Sequence, residues 1–161
     1  MGDNVIRRFL VAASLLWVAA LVGATSVGAR SRAGSAASVL SLATYAVGSL
    51  VCHQRPERSF HFWGAQFPVC ARCAGIYAGA ALTAIIASAI RHWTDVNRVL
   101  HDAWPALSAA ALPTVLTFAY EWTSGDMPSN GIRFAAGLPL GAAVMWLVIS
   151  VSTSRRAVEV H

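Results

Sequence analysis

The chain has 161 residues and three cysteines, and all three cysteines fall between positions 52 and 73. Cys52 is followed by His53, while Cys70 and Cys73 form a C-x-x-C pair around Arg72. Cysteines serving as small core fillers would be scattered, so this clustering points to sulfur chemistry. A C-x-x-C spacing places two sulfurs about one helical turn apart. If the pair opens a helix, the free backbone N–H groups and the helix dipole favour thiolate, and Arg72 adds positive charge beside it. Pro68, just upstream, is compatible with such a start. Cys52, His53, Cys70 and Cys73 together make a Cys₃His set, which suits tetrahedral zinc. Hard oxygen ligands are missing from the set, which argues against magnesium or calcium. Adjacent helical residues project about 100° apart. Cys52 and His53 therefore reach one ion only if the helix ends there, and His61 is the alternative fourth ligand.

Two other readings use the same residues. Cys70 and Cys73 have the spacing of a thiol redox pair at a helix start, with Cys52 as a third thiol. Alternatively the thiols are buried without chemistry in a structural membrane subunit, and Arg58 and Arg72 merely flank the membrane. Against the last, an arginine between two cysteines at a membrane entrance needs a partner. Glu57 is the nearest acidic residue in sequence.

The elements that must carry these residues follow from hydropathy. The chain is 57% hydrophobic and only 12% charged, with a mean hydropathy of +0.57. Soluble domains carry about 25% charge, so composition places the chain among membrane proteins. A bilayer-crossing helix needs about 20 apolar residues. Five uncharged runs approach that length, near 9–28, 33–52, 73–90, 103–120 and 134–154. The expected fold is all-α: one membrane domain, 1–161, with about five transmembrane helices, or four if the first or second run fails to span. The second run is the least apolar, opening with Gly34, Ser35, Ser38 and Ser41. The first, with Arg7-Arg8 and then Val27-Gly28-Ala29, also has the outline of a signal peptide. An uncleaved first helix is favoured, because four later runs already hold the chain in the membrane.

The net charge is +5 and every basic residue is Arg. These arginines stand in ones and twos between apolar runs, as membrane anchors do, and not on one face as nucleic-acid binding requires. The lipid bilayer is the expected partner, in a multi-pass arrangement in the cell membrane, and no nucleic-acid partner is expected. With five spans the arginines divide evenly between the two sides, so charge gives no orientation. Gly75 and Gly79, like Gly137 and Gly141, have the G-x-x-x-G spacing that lets helix backbones approach closely, most simply to pack the bundle. Pro113 and Pro139 sit inside the fourth and fifth runs as expected kinks. His92, His101 and His161 stand alone and read as interfacial or solvent residues. Glu121 and Arg133 bracket a short loop and are expected to pair there as a surface ion pair worth at most about 1 kcal/mol. No catalytic triad spacing, phosphate-binding glycine loop or H-E-x-x-H occurs, so a non-enzyme is the preferred expectation.

Residues 52 to 79 also carry a resemblance. They contain C-H-Q-x-P-x-R-S-F at Cys52, His53, Gln54, Pro56, Arg58, Ser59 and Phe60. They then contain P-V-C-x-R-C-x-G-I-Y-x-G at Pro68, Val69, Cys70, Arg72, Cys73, Gly75, Ile76, Tyr77 and Gly79. This signature resembles that of a family of small prokaryotic membrane proteins, domain of unknown function 2085. Ser129-Asn130, Arg133 and Gly137 resemble the entrance to the family's last span. An Asp that the family carries in the preceding span has no counterpart between Leu116 and Ala119. The resemblance implies membrane location and a shared site; it implies no reaction. A zinc-type site at one membrane face, structural or metal-handling, is the leading expectation for Cys52, His53, Cys70 and Cys73, with His61, Arg58 and Arg72 as auxiliaries.

Overall fold

Lipid offers the backbone no hydrogen-bond partners, so an apolar run that enters it must satisfy its peptide groups internally, as a helix. The structure, a computed structural model, describes residues 2–30, 36–89 and 96–159, and the five apolar runs are helices in it. They are α1 (Gly2–Arg30), α2 (Ala36–Val51), α3 (Ala71–Ala89), α4 (Val96–Ser124) and α5 (Asn130–Glu159). The fold is therefore the expected all-α bundle, with one addition. The segment between α2 and α3 forms a 3₁₀ turn, Pro56–Arg58, and an antiparallel hairpin of β1 (Ser59–Phe62) and β2 (Ala65–Cys70). Its two-residue turn, Trp63-Gly64, has positive φ at both positions, 54° and 82°, the primed geometry that matches strand twist. Residues 33–35 and 90 of the expected second and third spans, with His92 and His161, lie outside the described residues, as does the side chain of His101.

Helices α3 and α5 run parallel, and their glycines explain the closeness of the crossing. A Cβ at Gly75 would run into the Phe134 carbonyl, and one at Gly79 into that of Leu138. Reciprocally, Gly137 lies against the Arg72 carbonyl and Gly141 against that of Ile76. Each G-x-x-x-G thus receives the backbone of the other helix, a contact that only residues lacking a side chain allow. Helix α4 runs antiparallel to α5: Thr114 Oγ1 donates to the Ala136 carbonyl at 2.8 Å, and Glu121 meets Arg133 further along. Pro105, Pro113 and Pro139 lie within α4 and α5, which continue through them.

Helix α1 is antiparallel to α3. Leu10 and Val11 pack near Ala84, Ala87 and Ile149, while Leu21 joins Cys52, Phe67, Val69 and Ala74. Its C-terminal end therefore arrives at the hairpin end of the bundle. Helix α2 stays there: Ser41 donates to the Ala24 carbonyl at 2.9 Å, Tyr45 to the Gln66 carbonyl, and Gly48 abuts the Pro68 carbonyl. It has 16 residues, where 33–52 was expected to span. Among the described residues, four helices are long and apolar enough to cross a membrane: Val5–Arg30, Ala71–Ala89, Ala103–Ser124 and Asn130–Ser152.

The glycine crossing sets a stability prediction. Gly79→Leu must push α3 off Leu138 and should destabilise the protein by roughly 1–3 kcal/mol. Thermal unfolding in detergent measures this, and an unchanged midpoint would place that face toward lipid.

Candidate functional site

Helix α2 ends at Val51, so Cys52 lies just past it, although its N–H still donates to the Gly48 carbonyl at 2.9 Å. The chain then reverses through Gln54, at a φ of 46°. The Gln54 amide holds this reversal in place by donating to the carbonyls of Tyr45 and Pro68, both at 2.7 Å. Cys52 is thereby pressed against the end of β2, where its sulfur accepts the Cys70 N–H at 3.2 Å. Cys73 follows on the first turn of α3. The sulfurs of Cys52, Cys70 and Cys73 all lie within 4.8 Å of one another. Cys52 is buried, and Cys70 and Cys73 are partly buried.

The helix start acts on these thiols as the C-x-x-C spacing suggests. The Cys70 pKa is lowered from 9.0 to about 5, chiefly because the Cys73 thiol donates to it. Burial opposes the shift; the Cys73 N–H, the Cys52 thiol and the Arg72 N–H assist it.

His53 and His61 are placed differently. Both are exposed. His53 lines the same cavity as the three cysteines, but among the described residues no histidine or carboxylate joins the sulfur cluster. His61 sits on β1, paired with Gln66, and does not line that cavity.

Beside the sulfurs lies a second cluster. Arg72 does not pair with Glu57, its nearest acidic residue in sequence, which is exposed. Its partner is Glu121 at the end of α4: Nη2 donates to Oε1 at 2.9 Å and to Thr117 Oγ1 at 3.0 Å, and the guanidinium lies 3.7 Å from the Phe118 ring centroid. Arg133 reaches the same Oε1, with Nε donating at 3.1 Å, and Arg58 Nη2 lies 3.6 Å from Oε2. The expected surface pair of Glu121 and Arg133 is therefore a buried one, with side chains 9% and 2% exposed. The separation in sequence between Arg72 and Glu121 concealed this pairing. The charges inside or beside apolar runs were the only signal for it.

The remaining signature residues are structural in a definable way. Ser59 is fully buried and donates to the Arg55 carbonyl at 3.0 Å. Asn130 donates to the Ser59 carbonyl at 3.0 Å, tying α5 to the hairpin. Ser129 precedes α5 and accepts the Ile132 N–H at 3.3 Å, as a helix cap does. Tyr77 stacks edge-on against Trp17 of α1.

Removing one member of a buried ion cluster leaves uncompensated charge, at a cost of about 3–5 kcal/mol. Glu121→Gln strips three arginines of their shared carboxylate and should lower unfolding stability in detergent by that order. A change below about 1 kcal/mol would mean that water reaches the cluster and screens it as at a surface.

Comparison with known proteins agrees with the signature. No solved structure matches the chain. An uncharacterised protein of Methanocaldococcus jannaschii is 33% identical over 112 residues, covering 70% of each chain. Another uncharacterised protein, of Methanothermobacter thermautotrophicus, is 37% identical over 103 residues, 62% of this chain and 86% of that one. Residues 52–147, from the first cysteine to the middle of α5, match the family described as "Predicted membrane protein (DUF2085)". With four apolar helices of crossing length and this signature, the chain belongs to that family of membrane proteins.

Proposed function

We propose that the chain is a multi-pass protein of the cell membrane that holds a zinc-type ion at one membrane face, in a structural or metal-handling role. The observation that supports this is the arrival of the third cysteine. A dithiol needs only Cys70 and Cys73, yet a separate reversal, built on Gln54, brings the Cys52 sulfur within 4.8 Å of both. With Zn–S bonds of about 2.3 Å, tetrahedral sulfurs sit about 3.8 Å apart, so closing this cluster on zinc takes a contraction of at most about 1 Å. His53, on the cavity wall, is better placed than His61 to be the fourth ligand. Ligation would tie the end of α2 to the start of α3.

Elemental analysis of protein purified in mild detergent without chelator tests the proposal. The expected result is about one zinc per chain. Cys52→Ser, Cys70→Ser and Cys73→Ser should each lose it, and the triple variant serves as control. Because ligation displaces thiol protons, zinc occupancy should fall on acidification. Free reaction of all three thiols with a maleimide, in protein containing no stoichiometric metal, would end the proposal. The lowered pKa of Cys70 favours a second reading, a Cys70–Cys73 redox pair. The two separate at Cys52→Ser, which removes the metal but leaves a dithiol couple with a measurable potential.

The topology belongs to the same proposal. Four crossings, with α2 confined to the hairpin end, put both termini on one side and the sulfur cluster at the opposite face. Reporter fusions at the two termini should report the same side. Opposite sides would restore a crossing by α2.

A further inference from the structure

The ion cluster at the hairpin end of the bundle carries more positive charge than its one carboxylate answers. Among the described residues, Arg58, Arg72 and Arg133 share Glu121 alone. Two positive charges are left over by that carboxylate. Buried charge without a counter-ion is strongly unfavourable.

The donors are unspent as well. Arg133 is 2% exposed and its Nη1 has no hydrogen-bond partner; nor have Nε of Arg72, 9% exposed, and Nε of Arg58. All three arginines line one cavity of about 460 Å³, together with Arg55 and His53. No Asp or Glu is among the described residues on its wall. Buried polar groups in native proteins are nearly always satisfied, so orphaned guanidinium nitrogens on three residues that line one cavity call for an acceptor. Several guanidinium forks around a doubly positive space match an oxyanion with several oxygens and up to two charges, as a phosphate group has.

We propose that this cavity binds a phosphate group through Arg58, Arg72 and Arg133, supplied either by a free phosphate compound or by an anionic lipid headgroup. The site adjoins the sulfur cluster and does not depend on metal there.

The test uses the full chain in uncharged detergent, with melting temperature followed against inorganic phosphate and against short-chain phosphatidic acid, at ionic strength held constant with chloride. A saturable rise with at least one of them is expected. A rise with inorganic phosphate assigns a free phosphate source. A rise confined to phosphatidic acid, absent with phosphatidylcholine, assigns a headgroup. Arg58 sits at the rim, 32% exposed, so Arg58→Gln leaves the Arg72–Glu121–Arg133 core intact and should fold. It should weaken the effect at least about tenfold, the loss expected for one charge-assisted hydrogen bond, while zinc content stays unchanged. Arg72→Lys keeps the charge, loses the fork and should also weaken it. Arg30→Gln, exposed and off the cavity, should not. No rise with either compound beyond chloride, or a rise that survives Arg58→Gln undiminished, would overturn the proposal.

Discussion

A carboxylate taken out of water must be answered by cations and hydrogen bonds, and Glu121 is answered from three directions at once. Arg72 comes from α3, Arg133 from α5 and Arg58 from the turn before the hairpin. Helix α4 packs chiefly on α5. It is the long Arg72 side chain, lying on Phe118 and bonded to Thr117, that links α4 to α3. Because α3 and α5 are drawn together by their glycines while α4 stands off, a space opens between α3 and α4 at the hairpin end. The cavity beside the cysteines is that space. Arg58, Arg72 and Arg133 stand in its wall because Glu121 gathers them there, and its position follows from which helix pair can approach backbone to backbone.

The sequence made part of this legible. The clustering of Cys52, Cys70 and Cys73 in one segment announced a common site, and the two G-x-x-x-G pairs announced a close crossing. Which helices they joined was not readable, since glycine spacing carries no partner information. The hairpin also escaped: β1 and β2 are short, and Trp63-Gly64 lacks the Asn or Asp that marks a primed turn. The reach of α2 stayed open between four crossings and five, because apolarity alone does not separate a crossing helix from one packed at the end of a bundle. Thr44 and Ser41 on its buried face are the features that fit the second role. The Arg72 partner was hidden by distance along the chain.

The signature residues around the cysteines divide their labour. Gln54 and Ser59 use side-chain hydrogen bonds to fix backbone that has no regular ladder, and Asn130 fastens the result to α5. This is how a loop can position a sulfur with the accuracy of a helix: each unsatisfied carbonyl of the reversal is given a particular donor. The family match opens at Cys52, so the unit it covers comprises the hairpin with α3, α4 and most of α5. Helix α1 packs on that unit from outside it.

The reciprocal seating of glycines in α3 and α5 has a mechanical consequence. Two parallel helices whose backbones are notched into each other cannot glide. The glycines stand four residues apart, so the smallest displacement that reseats any of them is about 6 Å, and it leaves one glycine of each pair unseated. The pair is therefore latched in a single register, and Arg72 and Arg133, one on each helix, keep a fixed separation. The segment from His53 to Arg58, which borders the cavity on its other side, is held by side-chain hydrogen bonds instead of a backbone latch.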